Sequence, residues 1–445
     1  MFSSPWHYFT DPVLQAPTIG SILMCLSSAL VGVIVFLRKR SLLGEALSHA
    51  TYPGVVLSVL LMATFFPDKP DLMALAILIG AFFTSLCGLW VIEKMERRFH
   101  VKNDAALCFV LSVFFGVGVL IASRIQFTHA LWYKTVQVFL YGQAATMTDI
   151  HVWIYASLAL LLVFALFILY RQIQMAIFDH AFSKTVGLPV RLIDNLLFFL
   201  LVLAIVIGIR SVGVVLMAGM LIAPAVAARQ FSHRLWVVFL SAAAFGALSG
   251  FLGNYLSVEF PEWGKRQGWE WNFSLPTGPM ILLSASLICL LSLLFSPQNG
   301  LVSRLLRILR FRAQCMGDNL LKYLWRRGVD GSSTTLEIRK WQPQSRWQMH
   351  LVLAGLKRQR WIEEYETHKI RLTREGRLRA ARIVRLHRLW EAYLVFLGQG
   401  AEKVHHSAEE MEHIITPELE EELSDLLGDP KQDPHSQPIP PKEGT

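Results

Sequence analysis

Residues 290–312 read LLSLLFSPQNGLVSRLLRILRFR, and within them the chain changes solvent. Up to Phe295 the residues are apolar and uncharged; beyond Gly300, arginines stand at positions 304, 307, 310 and 312. An uncharged apolar run is stable in hydrocarbon. A run carrying four arginines is not, because each costs roughly 3 kcal/mol to place at the bilayer centre. A membrane part is therefore expected before this point and a water-exposed part after it. Towards the N-terminus, near-uncharged runs of the ~17–25 residues needed to cross a bilayer recur at about 18–37, 47–66, 71–92, 104–123, 150–170, 192–209, 212–228, 233–256 and 278–296. Nine spans are predicted. Towards the C-terminus no run is long enough to span, and the remaining ~145 residues, rich in Arg, Glu and His with helical periodicity, suffice for a core of their own.

Composition agrees with this division: 53% hydrophobic and 17% charged residues lie outside the range of ordinary soluble domains. Nine spans put the termini on opposite sides. Loops of one parity hold twelve basic residues, those of the other parity six, and residues 1–17 none, which places the N-terminus outside and the C-terminus in the cytoplasm of a bacterial inner membrane. The first 17 residues lack the basic start and cleavage site of a signal peptide, so span one is expected to be retained as the anchor. Much of the net charge of +9 then reflects orientation against anionic lipid. Five cysteines without a CxxC pair indicate neither a disulfide framework nor a zinc ribbon. No G-x-x-x-x-G-K-[ST] and no H-E-x-x-H occurs, so the chain is expected not to be an enzyme, and any ATP hydrolysis belongs to a separate subunit.

Chemistry enters the spans at residues 41–54, SLLGEALSHATYPG. Glu45 and His49 are four apart and share a helical face, where a carboxylate oxygen and an imidazole nitrogen suit Mn(II), Fe(II) or Zn(II). A plainer reading is a helix start with its glutamate at the positive dipole end and its histidine bonded to a neighbour. The stretch LLGEALSHATYPGVVLSVLL resembles the second-span motif of the membrane subunits of ABC-type manganese, zinc and iron importers, the ABC-3 permease family. Glu45 stands where that pattern has Asp. The similarity runs over roughly residues 10–297 and includes SVGVVLMAGMLIAPAVAARQF at 211–231 and FDHAFSKTVGLPV at 178–190. The latter resembles the helix that the family's ATPase grips, which implies coupling roles for Asp179, Lys184 and Gly187; an interfacial helix resting on lipid is the alternative. The resemblance further implies three partners: a cytoplasmic ABC ATPase, an extracytoplasmic metal-binding protein and a second permease subunit.

In the C-terminal part, residues 315–373 contain an apolar-periodic helix, a Ser/Thr-rich cap, a short helix, a turn at Gln342–Pro343 and a basic helix up to Arg360. That order is helix-turn-helix, and IEEYETHKIRLT fits a two-stranded wing. Ser345, Arg346 and Gln348 fall at the start of the second helix, where base edges of an operator are read, and Lys357, Arg358 and Arg360 are placed for phosphates. A basic face against membrane or ATPase is the competing reading. Beyond the wing, His387 and Glu391 are four apart, as are His405 and Glu409, and Glu409, Glu412 and His413 are expected on one helical face. Such a cluster suits one or two divalent cations. RLHRLWE, VHHSAEEMEH and GDPKQDPHSQPIP resemble the DtxR/MntR family of metal-dependent repressors, whose winged helix-turn-helix precedes a helical dimerisation domain. That resemblance implies His387, Glu391, His405, Glu409, Glu412 and His413 as metal ligands, with Met316 at the N-terminal ligand position and Asp318 two residues on. Glu409 leans towards manganese, and Leu351 departs from a usually polar contact position.

The expected fold is mainly α: a polytopic membrane domain at 1–297, a linker at 298–312, a winged helix-turn-helix at 313–375, a metal-binding dimerisation domain at 376–430 and a loose tail at 431–445. The expected function is a divalent-metal importer subunit, for Mn or Fe before Zn, with a metal-dependent repressor attached. Two alternatives stand beside it: a membrane-bound regulator that no longer transports, and a permease whose tail only gates uptake. Because a tethered repressor reaches few operators, release by proteolysis near 297–312 is also expected.

Overall fold

The structure, a computed structural model, describes residues 4–66, 71–178, 180–268, 275–328, 332–341, 345–365, 369–400 and 404–442. The chain forms two compact units, Met1–Ser303 and Arg304–Thr445. In the first, nine helices among the described residues are long and apolar enough to cross a membrane: Pro12–Leu37, Ser41–Phe65, Leu72–Arg98, Asn103–Thr128, Asp149–Ile177, Val190–Val212, Val214–Phe231, Leu235–Arg266 and Thr277–Phe295. We number them spans one to nine. Span two begins about two turns before the apolar run does. Leu42, Leu43, Glu45, Ala46 and Leu47 are strong helix formers, so Glu45 and His49 lie within the helix. A further helix, Ala130–Tyr141, was not expected; with twelve residues it is too short to cross the bilayer. Its C-cap, Gly142, has φ 78° and packs on Gly213, φ 94°, at the junction of spans six and seven.

Spans one and two are the most enclosed, while spans three, four, five and nine keep most of their surface outward. Lipid gives helices no hydrophobic reason to associate, so close backbone approach through small residues matters more. A Cβ at Gly32 would collide with the Leu221 carbonyl of span seven, and one at Gly54 with the Gly80 carbonyl of span three. Ion pairs fix the turn between spans one and two: Arg38 meets Asp194 of span six at 2.7 Å and Arg40 meets Glu96 of span three at 3.1 Å.

The second unit departs from expectation at both ends. Residues 298–312 are not an open linker. A turn occupies 297–299, and from Leu301 a helix runs to Arg326, because 301–312 contains no Gly or Pro and is dominated by Leu, Ile and Arg. Among the described residues of this unit three strands follow: β1, Ser332–Thr334; β2, Ile362–Tyr365; and β3, Lys369–Leu372, in the order β1-β3-β2 and all antiparallel. The predicted two-stranded wing is β2–β3, with Glu364 opposite Ile370. The Ser/Thr-rich stretch expected as a cap forms β1 and serves as both strand and cap. The Thr334 hydroxyl accepts from Glu337 N–H, and the Glu337 carboxylate accepts from Thr334 N–H, each at 3.3 Å, which is a capping box. Helices Thr335–Trp341 and Arg346–Arg358 pack with Leu320, Leu321, Leu324 and Ile370 in one apolar core. The expected turn at Gln342–Pro343 lies outside the described residues.

Helices Arg374–Phe396, Val404–Met411 and Pro417–Leu426 complete the unit. Residues 431–442, expected to be loose, are strapped to the first of them. The Arg385 guanidinium donates to the Pro440 carbonyl at 3.0 Å, Arg388 pairs with Asp433 at 3.4 Å and donates to the Pro438 carbonyl, and Ile439 is buried. Proline-rich sequence signals the absence of a helix, but proline carbonyls remain acceptors, and two arginines use them. Buried Arg385 also meets Glu420 and Asp429, each at 3.3 Å. Arg385→Ala is expected to destabilise this region by about 3–5 kcal/mol, the usual cost of breaking a buried ion pair. Amide hydrogen exchange across 417–442 should accelerate accordingly, and unchanged protection would contradict the strap.

Candidate metal centres

Helix Arg374–Phe396 is started by the Thr373 hydroxyl, which accepts from Gly376 N–H at 3.0 Å, and is anchored by buried Ala380, Ile383 and Leu386. That places His387 and Glu391 on its buried face, 3% and 2% exposed. Helix Val404–Met411 brings His405 against them. His387 Nε2 lies 3.2 Å from Glu391 Oε1, His405 Nδ1 lies 2.8 Å from the same oxygen, and the two nitrogens are 3.1 Å apart. Each imidazole has a carboxylate behind it. His387 Nδ1 is 2.6 Å from Glu412 Oε2, and His405 Nε2 is 3.6 Å from Glu409 Oε1. For His387, which is within hydrogen-bond distance of its carboxylate, this is the outer-shell arrangement that fixes a metal-ligating histidine's tautomer. The two nitrogens and one oxygen that remain, all within 4.8 Å of one another, fit a divalent first-row ion.

Burial opposes charge on His387, but hydrogen bonds to Glu391 and Glu412 outweigh it and raise its pKa above the ordinary histidine value. Burial also pushes the Glu391 carboxyl upward, yet hydrogen bonds with His387 and His405 bring it down to about 2. The carboxylate is therefore ionised throughout the neutral range, and a proton on the imidazole is what an incoming cation must displace. Affinity should fall as pH drops through the raised His387 value. Calorimetry of manganese binding in two buffers of different ionisation enthalpy should show a buffer-dependent heat; identical heats would rule this competition out.

The triplet expected on one helical face is divided. The helix ends at Met411, and Glu412 and His413 occupy the following turn. Glu409 is half exposed beside His405, whereas the Glu412 and His413 side chains are buried. His413 Nδ1 faces Asp318 Oδ2 at 3.3 Å, Asp318 Oδ1 meets Arg379 at 3.3 Å, and Lys322 Nζ donates to Glu412 Oε1 at 2.6 Å. Of the two N-terminal candidates it is Asp318 that reaches this group. Met316 packs against the helix-turn-helix core.

At the second helix of the helix-turn-helix, Ser345 is the N-cap. Its hydroxyl accepts from Gln348 N–H at 3.3 Å and donates to Gln348 Oε1 at 3.0 Å, so both expected contact residues sit at the helix start. Arg346 is its first residue. Trp347, 74% exposed, and Leu351, 52% exposed, lie on the same helix; Trp347 was not singled out from the sequence, where a tryptophan between polar residues reads as core. Lys357 is paired with Glu364 of the wing at 2.6 Å.

In the membrane unit, Glu45 is half-buried and His49 is buried one turn further on, its ring edge-on to Phe115 at 4.7 Å between centroids. Among the described residues His49 Nδ1 has no hydrogen-bond partner. A buried nitrogen without a partner is rare, and in the tautomer that leaves it unprotonated it can take a cation. Of the coupling candidates, Asp179 lies outside the described residues. Lys184 is in the last turn of helix His180–Thr185, and Gly187, φ 81°, closes that helix, its N–H donating to the Lys184 carbonyl at 3.1 Å.

The family model of the ABC 3 transport family matches residues 10–296, more than half of the chain. The chain belongs to the ABC 3 transport family. A second model, that of the iron dependent repressor metal binding and dimerisation domain, matches residues 373–441. The probable metal transport system membrane protein of Chlamydia trachomatis serovar D is 35% identical over 444 residues, covering 97% of both chains. The manganese transport system membrane protein MntC of Bacillus subtilis is 32% identical, with 89% of this chain and 87% of that one covered. Among solved structures, PsaBC from Streptococcus pneumoniae in complex with Fab is 25% identical with a TM-score of 0.55, covering 68% of this chain and 98% of that one.

This ABC 3 family chain is thus a multi-pass membrane protein that carries a DtxR-like domain behind its spans. The similarity to the C. trachomatis protein extends over both the spans and the DtxR-like domain of this chain. Lys322 and the Arg38–Asp194 and Arg40–Glu96 pairs were not identified from the sequence. A lone lysine on an amphipathic helix reads as solvated, and no spacing rule links residues 56 or 156 positions apart.

Proposed function

We propose that the chain is the membrane subunit of an ATP-driven importer of a divalent transition metal, manganese or iron before zinc, and that its C-terminal half is a metal-dependent DNA-binding repressor. The observation that carries this reading is the meeting of a transport family and a metal-binding dimerisation family in one chain. Each half presents a carboxylate and an imidazole one helical turn apart. Relatives named for metal and manganese transport support the cargo. A separate ABC ATPase docks at the segment 178–190, with Asp179, Lys184 and Gly187 in coupling roles, and its closure alternates access to a path through Glu45 and His49. An extracytoplasmic metal-binding protein delivers the ion, and a second permease subunit completes the path. The N-terminus lies outside and the C-terminus in the cytoplasm.

In the tail, an ion at His387, Glu391 and His405 acts on helix Leu301–Arg326 through Glu412–Lys322 and His413–Asp318. The leucines of that helix belong to the helix-turn-helix core, so ion binding biases the position of Ser345, Arg346 and Gln348 on an operator, as a dimer reading successive major grooves. Release of the repressor, if it occurs, requires cleavage in the short turn at 297–300, because helix begins at Leu301 and proteases favour open turns. An immunoblot containing only full-length chain would exclude release. Uptake of radiolabelled manganese by vesicles carrying this chain, the ATPase and the binding protein tests the transport reading. Uptake no greater than in empty vesicles would favour a regulator that no longer transports.

A further inference from the structure

A buried ammonium stands inside the tail's carboxylate and imidazole cluster. Lys322 is 3% exposed, and its Nζ donates to Glu412 Oε1 at 2.6 Å. His413 Nε2 stands 3.6 Å from that same oxygen, while the other oxygen of Glu412 is 2.6 Å from His387 Nδ1. Asp318, the remaining carboxylate on this side, is matched by Arg379 at 3.3 Å. Both carboxylates here are therefore each paired with a basic side chain of the chain itself. The other side differs: among the described residues Glu391 pairs with the imidazoles of His387 and His405, groups whose ring nitrogens are themselves metal ligands.

Two divalent ions sharing Glu412 would have to bring one of them close to the Lys322 ammonium, in a site too dry to screen the repulsion. We propose that Lys322 is a built-in cation occupying the electrostatic position of a second ion, so that the tail holds one divalent ion, between His387, Glu391 and His405, and not a pair. Glu412 then is a positioning residue. Lys322 holds its Oε1, its Oε2 holds His387 Nδ1–H, and His387 Nε2 is left as the donor to the ion. This rests on the metal-sensing reading above and deepens it.

The test counts manganese per full-length chain by elemental analysis after gel filtration in detergent. The reference is a variant with Asp318→Asn, Glu391→Gln, His405→Gln and His413→Gln, so that ions held by the membrane half subtract out. The wild type and Lys322→Arg should each exceed the reference by one ion. Lys322→Met, which leaves Glu412 in need of a cation, should exceed it by two, and its electron paramagnetic resonance spectrum should broaden from the six-line signal of isolated Mn(II) to that of a coupled pair. An excess of two in the wild type would overturn the proposal, and that count does not depend on any Lys322 variant folding. An excess of one in properly folded Lys322→Met would overturn the role given to Lys322. An excess of zero in the wild type would instead overturn the metal-sensing reading on which the proposal depends.

Discussion

Vesicles carrying the chain with its ATPase and binding protein are expected to lose metal uptake when His49 is replaced by alanine, by at least about 10- to 100-fold, the range that even outer-shell changes at metal sites produce. The expectation rests on His49 Nδ1, buried with no hydrogen-bond partner among the described residues, and on Glu45 one turn away on the same helix. In a bilayer an ionisable side chain without a structural partner is a functional candidate by default. The residues beside it explain the rest of the motif. Span four approaches so closely at Gly118 that a Cβ there would meet the Tyr52 ring and the Pro53 nitrogen, and the Tyr52 and His49 rings both flank Phe115. The sequence TYPG is thus packing, and on the proposed reading EALSH carries the chemistry. Glu45→Asp, which keeps the oxygen donor and shortens its reach by one methylene, should retain part of the uptake, whereas Glu45→Ala should not. Equal uptake by wild type, Glu45→Ala and His49→Ala would remove both residues from the path.

The spans were legible because lipid excludes charge. A run without Asp, Glu, Lys or Arg announces itself, and all nine lay where composition put them. Short elements escaped for the same reason. Helix Ala130–Tyr141 carries Lys134 and is half the length of a span, and β1 is three residues of Ser and Thr that look like a cap. Helical spacing paired His387 with Glu391 and His405 with Glu409, since four-residue separation is a local property, and the fold brings His405 against the first pair. It could not find what arrives from elsewhere in the chain. Lys322 reaches Glu412 across 90 residues and Asp318 reaches His413 across 95, so the choice between Met316 and Asp318, and the presence of an internal cation, required three dimensions. The proline-rich end failed as a prediction because composition reports what a backbone cannot form and not which side chains from other helices will hold it.

Replacing His387 by glutamine in the full-length chain is expected to abolish metal-dependent binding to DNA from its own promoter while leaving metal uptake intact. Wild type with manganese should bind that fragment roughly 1,000-fold more tightly than unrelated DNA, at the lower end of the range for specific recognition, and the binding should weaken steeply with salt as phosphates are exchanged for counterions. Glutamine keeps the size and a hydrogen bond to Glu412 but removes the nitrogen that faces Glu391 and His405, so a folded tail should remain with metal affinity lowered by more than about 100-fold. The specific shift should then disappear at any manganese level that saturates the wild type, and the salt-sensitive, sequence-independent component should persist. Opposite behaviour carries equal information. If His387→Gln alters manganese uptake and neither protein shifts DNA, the tail acts on the permease and the helix-turn-helix is a gate. His49→Ala and His387→Gln are therefore a pair: on the proposed reading each silences one half and spares the other, because the two metal sites belong to separate compact units that meet through the metal one passes and the other detects.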